Sequence, residues 1–317
     1  MHSLVVLFLT FFAVFSAGAH SATNKDKSSI ILPLNEWASQ RVLSRVVGNM
    51  IQQLNIPVQY QEIGVADQWG ALRRGMVHIQ IEVWQPSMAK PFEQMVDKGY
   101  ISDLGTHKAV VREEWWYPDY VSDFCPDLPS WQGLNKCAAI FSANYQSNKG
   151  VYYTGPWDYG DAELIRALEL NFVIERLKDD KALWRELARA NETSRPIVLL
   201  NWTPNWTDAR IEGQFVEFPP YTPECESDPQ WGINKFLTKD CANPKNGWLK
   251  KAAWPELKFK WPCVYKLVKN IDLNKSMISE AAALVIADGH DEARAASLWM
   301  TKFERQWRSW VAQSCGR

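Results

Sequence analysis

Apolar and polar positions between residues 30 and 202 switch repeatedly from a strand period to a helix period. Ser29 to Leu34 is a short apolar run, and beyond Trp37 the residues Val42, Val46, Met50 and Leu54 recur every four positions. The run reads as a buried strand and the spacing as one face of a helix. His78 to Val83 sets Ile79, Ile81 and Val83 at alternate positions, and Pro86 stops the segment just past Trp84. This is a second strand. Gly150 to Thr154 reads as a third, turning at Gly155 and Pro156 and entering a helix through Asp158 to Glu163. Pro196 to Leu200 is a fourth, closed by Asn201, Trp202, Thr203 and Pro204. Strands alternating with helices predict an α/β chain whose mostly parallel sheet is covered by helices.

Each of these units carries a tryptophan where the strand ends: Trp37, Trp84, Trp157 and Trp202. Ligands of open α/β sheets bind beyond the carboxyl ends of the strands, so the four rings are expected to converge on one cleft. The carboxyl-terminal stripe of Trp299, Phe303, Trp307 and Trp310 has helical spacing instead and reads as core. After Arg210 the composition turns to Pro, Gly, Cys and Lys, and Phe218 to Pro223 reads as an extended connection at a lobe boundary.

The first 24 residues hold no Lys, Arg, Asp or Glu, and Leu4 to Phe15 is almost wholly apolar. This predicts a secretory signal peptide over residues 1–22, cleaved near Ala19 to Ala22, and export to the periplasm. The apolar run is shorter than the roughly 20 residues that span a bilayer. No cysteine precedes Cys125, so no lipid anchor is expected near the leader. Six cysteines in an exported chain suggest disulfides. Nearest-neighbour pairing gives Cys125 with Cys137, Cys225 with Cys241 and Cys263 with Cys315, one of fifteen possible connectivities. A metal site is the rival, but no two cysteines have zinc-site spacing.

With 35 basic and 36 acidic residues the chain has no electrostatic footprint for nucleic acid or an anionic membrane. That leaves a small molecule as the expected partner. A quaternary ammonium group is charged yet has no N–H to donate, so an ion pair alone cannot orient it. Indole faces can, each contributing about 0.5 to 2 kcal/mol. Four at the upper end sum to roughly 8 kcal/mol, about micromolar binding before ordering costs. The chain has no Gly-x-Ser-x-Gly elbow, His-Glu-x-x-His motif or Walker loop, so no enzyme, cofactor or metal is expected. Tryptophans also stack sugars, and a carbohydrate-binding protein or glycosidase is the alternative.

The segments Ile81-Glu82-Val83-Trp84-Gln85-Pro86, Gly155-Pro156-Trp157 and Asn201-Trp202-Thr203-Pro204-Asn205-Trp206 resemble the substrate-binding proteins of glycine betaine, proline betaine and choline ABC transporters. Asp240-Cys241, Pro244-Lys245, Trp248 to Lys251 and Trp299-Met300 extend the resemblance over nearly the whole mature chain. It implies a two-lobed periplasmic-binding-protein fold of type II-like topology, with mixed sheets flanked by helices and a ligand cleft between the lobes. Lobe 1 would comprise 28–110 and 212–317, and lobe 2 would comprise 111–211. Glycine betaine, proline betaine, choline or carnitine would be held for uptake, with a separate permease and ATPase as partners. By position, Trp84, Trp157 and Trp202 would form the cage, with Trp37 as a fourth wall and Trp116 and Tyr117 as further aromatics. Backbone N–H groups of Asp158 and Tyr159 could receive a ligand carboxylate. Where some members hold that carboxylate with histidine, this chain has Met88 and Asn205. Glu36 could accept a ligand hydroxyl, or be a solvated loop carboxylate.

Overall fold

The computed structural model describes residues 28–142, 148–157 and 159–315. The expected leader and Asp158 lie outside them. The chain runs through β1 (Ile30–Leu34), α1 (Ala38–Gln52), β2 (Val58–Glu62), α2 (Gln68–Arg74), β3 (Ile79–Trp84) and α3 (Gln85–Asp97). The 17-residue β4 (Ser102–Pro118) leads to α4 (Trp131–Lys136), β5 (Gly150–Thr154), α5 (Asp161–Ala167), β6 (Phe172–Arg176), α6 (Asp180–Glu192) and β7 (Val198–Thr203). After β8 (Gly213–Phe215) and β9 (Gly247–Ala253), helices close the chain, the last three being Lys275–Ile286, Glu292–Lys302 and Glu304–Ala312.

The long β4 joins two groups of strands in one sheet. Its first half pairs with β9 and its second half with β7, the exchange falling between Val111 and Arg112. β9 also pairs with β3, while β7 pairs with β5 and β5 with β6. Among the described strands, parallel pairing joins β1 to β2 and β5 to β6 and β7, while every pairing of β4 is antiparallel. The sheets are therefore mixed rather than mostly parallel, because hydrophobic patterning reports burial and not strand direction. β8 hydrogen-bonds to Trp116, Tyr117 and Pro118 in the second half of β4. β8 therefore pairs with the same half of β4 as β7. Pro- and Gly-rich composition marks a connection, but only register tells which side it follows.

All six residues of β3 are buried, including Gln80 and Glu82 between the expected apolar positions. The face that alternation would leave to solvent is interior, where the Gln80 amide donates to Asn35 Oδ1 at 2.7 Å. The aromatic stripe Trp299, Phe303, Trp307 and Trp310 is buried in the core. The three disulfides are Cys125–Cys137, Cys225–Cys241 and Cys263–Cys315, the nearest-neighbour set. Among the described residues, no helix is long and apolar enough to cross a membrane.

Helix α1 begins without a cap of its own, since Trp37 at its N-cap position supplies no side-chain acceptor and its first turn has no acidic residue. The acceptor comes from α6: the Ala38 N–H donates to Asp180 Oδ2 at 2.7 Å, and the Asp180 N–H donates to the Glu36 carbonyl at 3.4 Å. A cap residue contributes about 1 kcal/mol. Asp180→Ala is accordingly expected to lower stability by about 1 kcal/mol in urea unfolding, with Asp180→Asn losing less. Equal stability of Asp180→Ala and wild type would show that the cap is replaced by water.

Candidate functional site

Trp37, Trp84, Trp157 and Trp202 line one cavity of about 70 Å³, together with Glu113 and Tyr159. Their elements explain the meeting. Trp37 precedes α1, Trp84 ends β3, Trp157 follows β5 and Trp202 lies near the end of β7. Glu113 comes from β4 at the point directly opposite Trp202 in the antiparallel register, so the two side chains share one sheet face. Val65, Ser87 and Met88 complete the lining from the β2–α2 connection and the start of α3.

Each ring is held from behind. Trp37 Nε1 donates to Glu82 Oε2 at 2.6 Å, and Trp84 Nε1 donates to the same oxygen at 3.0 Å. Trp202 meets the edge of Trp157 at 5.5 Å and 84°, and Trp184 of α6 packs against it at 5.2 Å. A Cβ on Gly155 would lie 2.2 Å from the Trp157 ring, so only glycine lets that indole fold back over its own strand end. The Trp157 N–H is buried with no partner among the described residues. Among the described residues, lysine or arginine sits over the faces of Trp248, Trp254, Trp261 and Trp307, but over none of the four cavity rings.

The cavity's ionisable groups are acidic or phenolic. Glu113 accepts hydrogen bonds from the Tyr159 hydroxyl at 2.8 Å, the Ser87 N–H at 3.1 Å and the Ser87 hydroxyl at 3.0 Å. Burial pushes its carboxyl up to about 7 against the lowering effect of these donors. Among the described residues, no Lys, Arg or His lines the cavity.

Other expected residues lie elsewhere. Trp116 is three positions from Glu113, so strand alternation turns it to the opposite face, against Gly213, where a Cβ would come within 1.9 Å of its ring. Tyr117 shares the parity of Glu113 but stands about 13 Å farther along the strand, where it is fully buried. Glu36 accepts from the Val65 N–H at 3.2 Å and so steadies a cavity-lining loop without reaching the cavity. Tyr159 does reach it, through its phenol. Asn205 is buried in hydrogen bonds with Asn201 and the Trp206 N–H, while Met88 lines the cavity. Glu113, Glu82, Ser87 and Val65 were not anticipated as site residues. The available signal for Glu82 was a carboxylate inside the apolar run Ile81-Glu82-Val83, whereas Glu113 sits in the charged stretch Arg112-Glu113-Glu114, which offers none.

Residues 28–302 match the family model described as the substrate binding domain of ABC-type glycine betaine transport system. The chain is 31% identical over 317 residues to a trimethylamine N-oxide-binding protein of Pelagibacter ubique (strain HTCC1062), covering 97% of this chain and 96% of that protein. Lactococcal OpuAC, closed around glycine betaine, superposes with a TM-score of 0.67 at 16% identity, covering 89% of this chain and 99% of that one. An ABC-transporter choline binding protein in complex with choline gives 0.68 at 15%, covering 89% and 93%. At such identities the structural likeness concerns the fold.

Proposed function

The chain belongs to the family of substrate-binding domains of ABC-type glycine betaine transport systems, and from that premise we propose that it encloses a small trimethylammonium compound, trimethylamine N-oxide foremost, in its tryptophan cage. It is a solute-binding component of transport and not an enzyme. The observation that carries the ligand reading is the cavity wall: four indoles and one carboxyl group, with no basic side chain. A cation gains from every ring face and meets no repulsion. The carboxylate of glycine betaine, proline betaine or carnitine would find neither a cationic partner nor a lining histidine, and would face Glu113 instead.

Size points the same way. An engineered apolar cavity of about 150 Å³ admits benzene. The present cavity is about 70 Å³, under half of that, so it favours the smallest candidate, and trimethylamine N-oxide is smaller than choline or any of the betaines. Its oxygen is a strong acceptor, and both a protonated Glu113 and the unpartnered Trp157 N–H could donate to it. The close relative named for trimethylamine N-oxide supports this choice. Choline is the second reading, since its hydroxyl could donate to an ionised Glu113. The chain would act in the periplasm and deliver its ligand to a permease and its ATPase.

Isothermal titration calorimetry against trimethylamine N-oxide, choline, glycine betaine, carnitine and a panel of sugars tests this. Trimethylamine N-oxide is expected to bind at about micromolar strength, and glycine betaine and carnitine at least about tenfold more weakly. Tighter binding of glycine betaine would remove the ligand choice. Heat from sugars alone would remove the cage.

A further inference from the structure

We infer that Glu82, which does not line the cavity, sets the preference of the cage for a cation over a neutral molecule of the same shape. The inference rests on the cage reading above. Glu82 follows the strand period with Trp84, two positions on, so both side chains leave β3 on one face. Its Oε2 receives three donors, from the Trp37 indole at 2.6 Å, the Trp84 indole at 3.0 Å and the Ser39 hydroxyl at 3.0 Å. Its Oε1 is buried without a partner among the described residues, and the residue is fully buried.

Two consequences follow from that geometry. A single oxygen fixes two rings, so the Trp37 and Trp84 planes are set by one carboxylate and not by packing alone. An anionic acceptor on each indole N–H also pushes electron density toward the ring, deepening the negative face that a cation meets. The charge itself stands one indole behind the cavity, in a dry environment where Coulomb attraction is only weakly screened.

Among the described residues no lysine or arginine acts on Glu82; burial raises its carboxyl to about 7, and only the three hydrogen bonds work against that. Uncompensated buried carboxylates are costly. A bound quaternary cation supplies the missing counter-charge, acting through the two rings that Glu82 holds. Glu82 is thus a positioning residue whose charge acts on the ligand at one remove.

The test separates charge from shape. Tetramethylammonium and trimethylamine N-oxide are titrated against wild type and Glu82→Gln, with tert-butanol as the uncharged carbon isostere of the N-oxide. Glutamine keeps a carbonyl for the two indoles and removes the charge. The expected result is about a tenfold loss for tetramethylammonium and a smaller loss for the N-oxide, with tert-butanol unchanged within about twofold. An equal loss for all three ligands, or no loss for any, overturns the inference while leaving the cage intact. Failure of wild type to bind either charged probe removes the cage reading itself, and this inference with it. Should Glu82→Gln not fold, Glu82→Asp carries the test. That variant keeps the charge but cannot span both indoles, so both affinities fall while the ratio of tetramethylammonium to tert-butanol binding stays at the wild-type value. A collapsed ratio overturns the inference.

Discussion

Trp84→Ala is expected to weaken binding of trimethylamine N-oxide about 30-fold, and Trp202→Ala more strongly still. A desolvated cation–π contact contributes up to about 2 kcal/mol, and each 1.4 kcal/mol is about a factor of ten, which gives the first figure. Trp84 also supplies one of the donors to Glu82, so its removal leaves that carboxylate less satisfied. Trp202 does more than offer a face. It faces the cavity from the same side of the sheet as Glu113. Removing it leaves a gap in the cavity wall that admits water beside the ligand, so the remaining rings weaken as well. It also leaves the edge of Trp157 and the ring of Trp184 without their neighbour. Phenylalanine at either position keeps a weaker ring, and the expected order of affinity is Trp, then Phe, then Ala. Fluorescence or calorimetric titration reads the effect, and circular dichroism checks the fold. Wild-type affinity in both folded alanine variants would mean that these rings are packing and nothing more.

The convergence of the four rings on one cavity was legible in the sequence because each ring follows its own strand end, and strand ends can be found from local pattern. Trp37, Trp84, Trp157 and Trp202 needed no knowledge of which strand pairs with which. Glu113 did. Its place in the wall depends on the antiparallel register that sets it against Trp202, nearly ninety residues later in the chain, and no local spacing encodes that. The same gap explains Trp116 and Tyr117. The resemblance placed both beside the cavity by position, whereas along β4 Trp116 falls on the face opposite Glu113 and Tyr117 about 13 Å beyond it. Glu82 was visible as a charge inside a buried run, yet alternation reads such a residue as solvent-facing. It is interior because α1 and its Ser39 and Trp37 cover that face of β3. Fold class was accessible from the alternation of elements, whereas the direction of β4 and the allegiance of β8 were decided by pairings the pattern does not contain.

Glu113→Ala is expected to cost about ten- to a hundredfold in affinity for trimethylamine N-oxide, and the pH profile should reveal how. Hydrogen bonds to charged or strongly polar groups contribute about 1.5 to 3 kcal/mol, which sets that range. The carboxyl is buried, so its value of about 7 means that it is protonated below neutrality and ionised above. A protonated Glu113 donates its O–H to the N-oxide oxygen. Affinity for trimethylamine N-oxide should therefore be full below about pH 7 and fall as pH rises through it. Tetramethylammonium has no oxygen and feels only the charge, so its affinity should rise over the same interval. Glu82 also titrates near 7 and favours cations when ionised, but it adds a slope of one sign for both ligands. Glu113→Gln isolates the difference: its amide still donates, its charge is gone, and the opposition between the two ligands should vanish, leaving only the slope from Glu82. In that variant the glutamine carbonyl can still accept from the Tyr159 and Ser87 hydroxyls, which both reach Oε1, while the Ser87 N–H loses its Oε2 acceptor. Profiles that run in the same direction for both ligands in wild type would show that the Glu113 proton is not shared with the N-oxide. Unchanged affinity in Glu113→Ala would place the carboxyl outside the recognition of the ligand altogether.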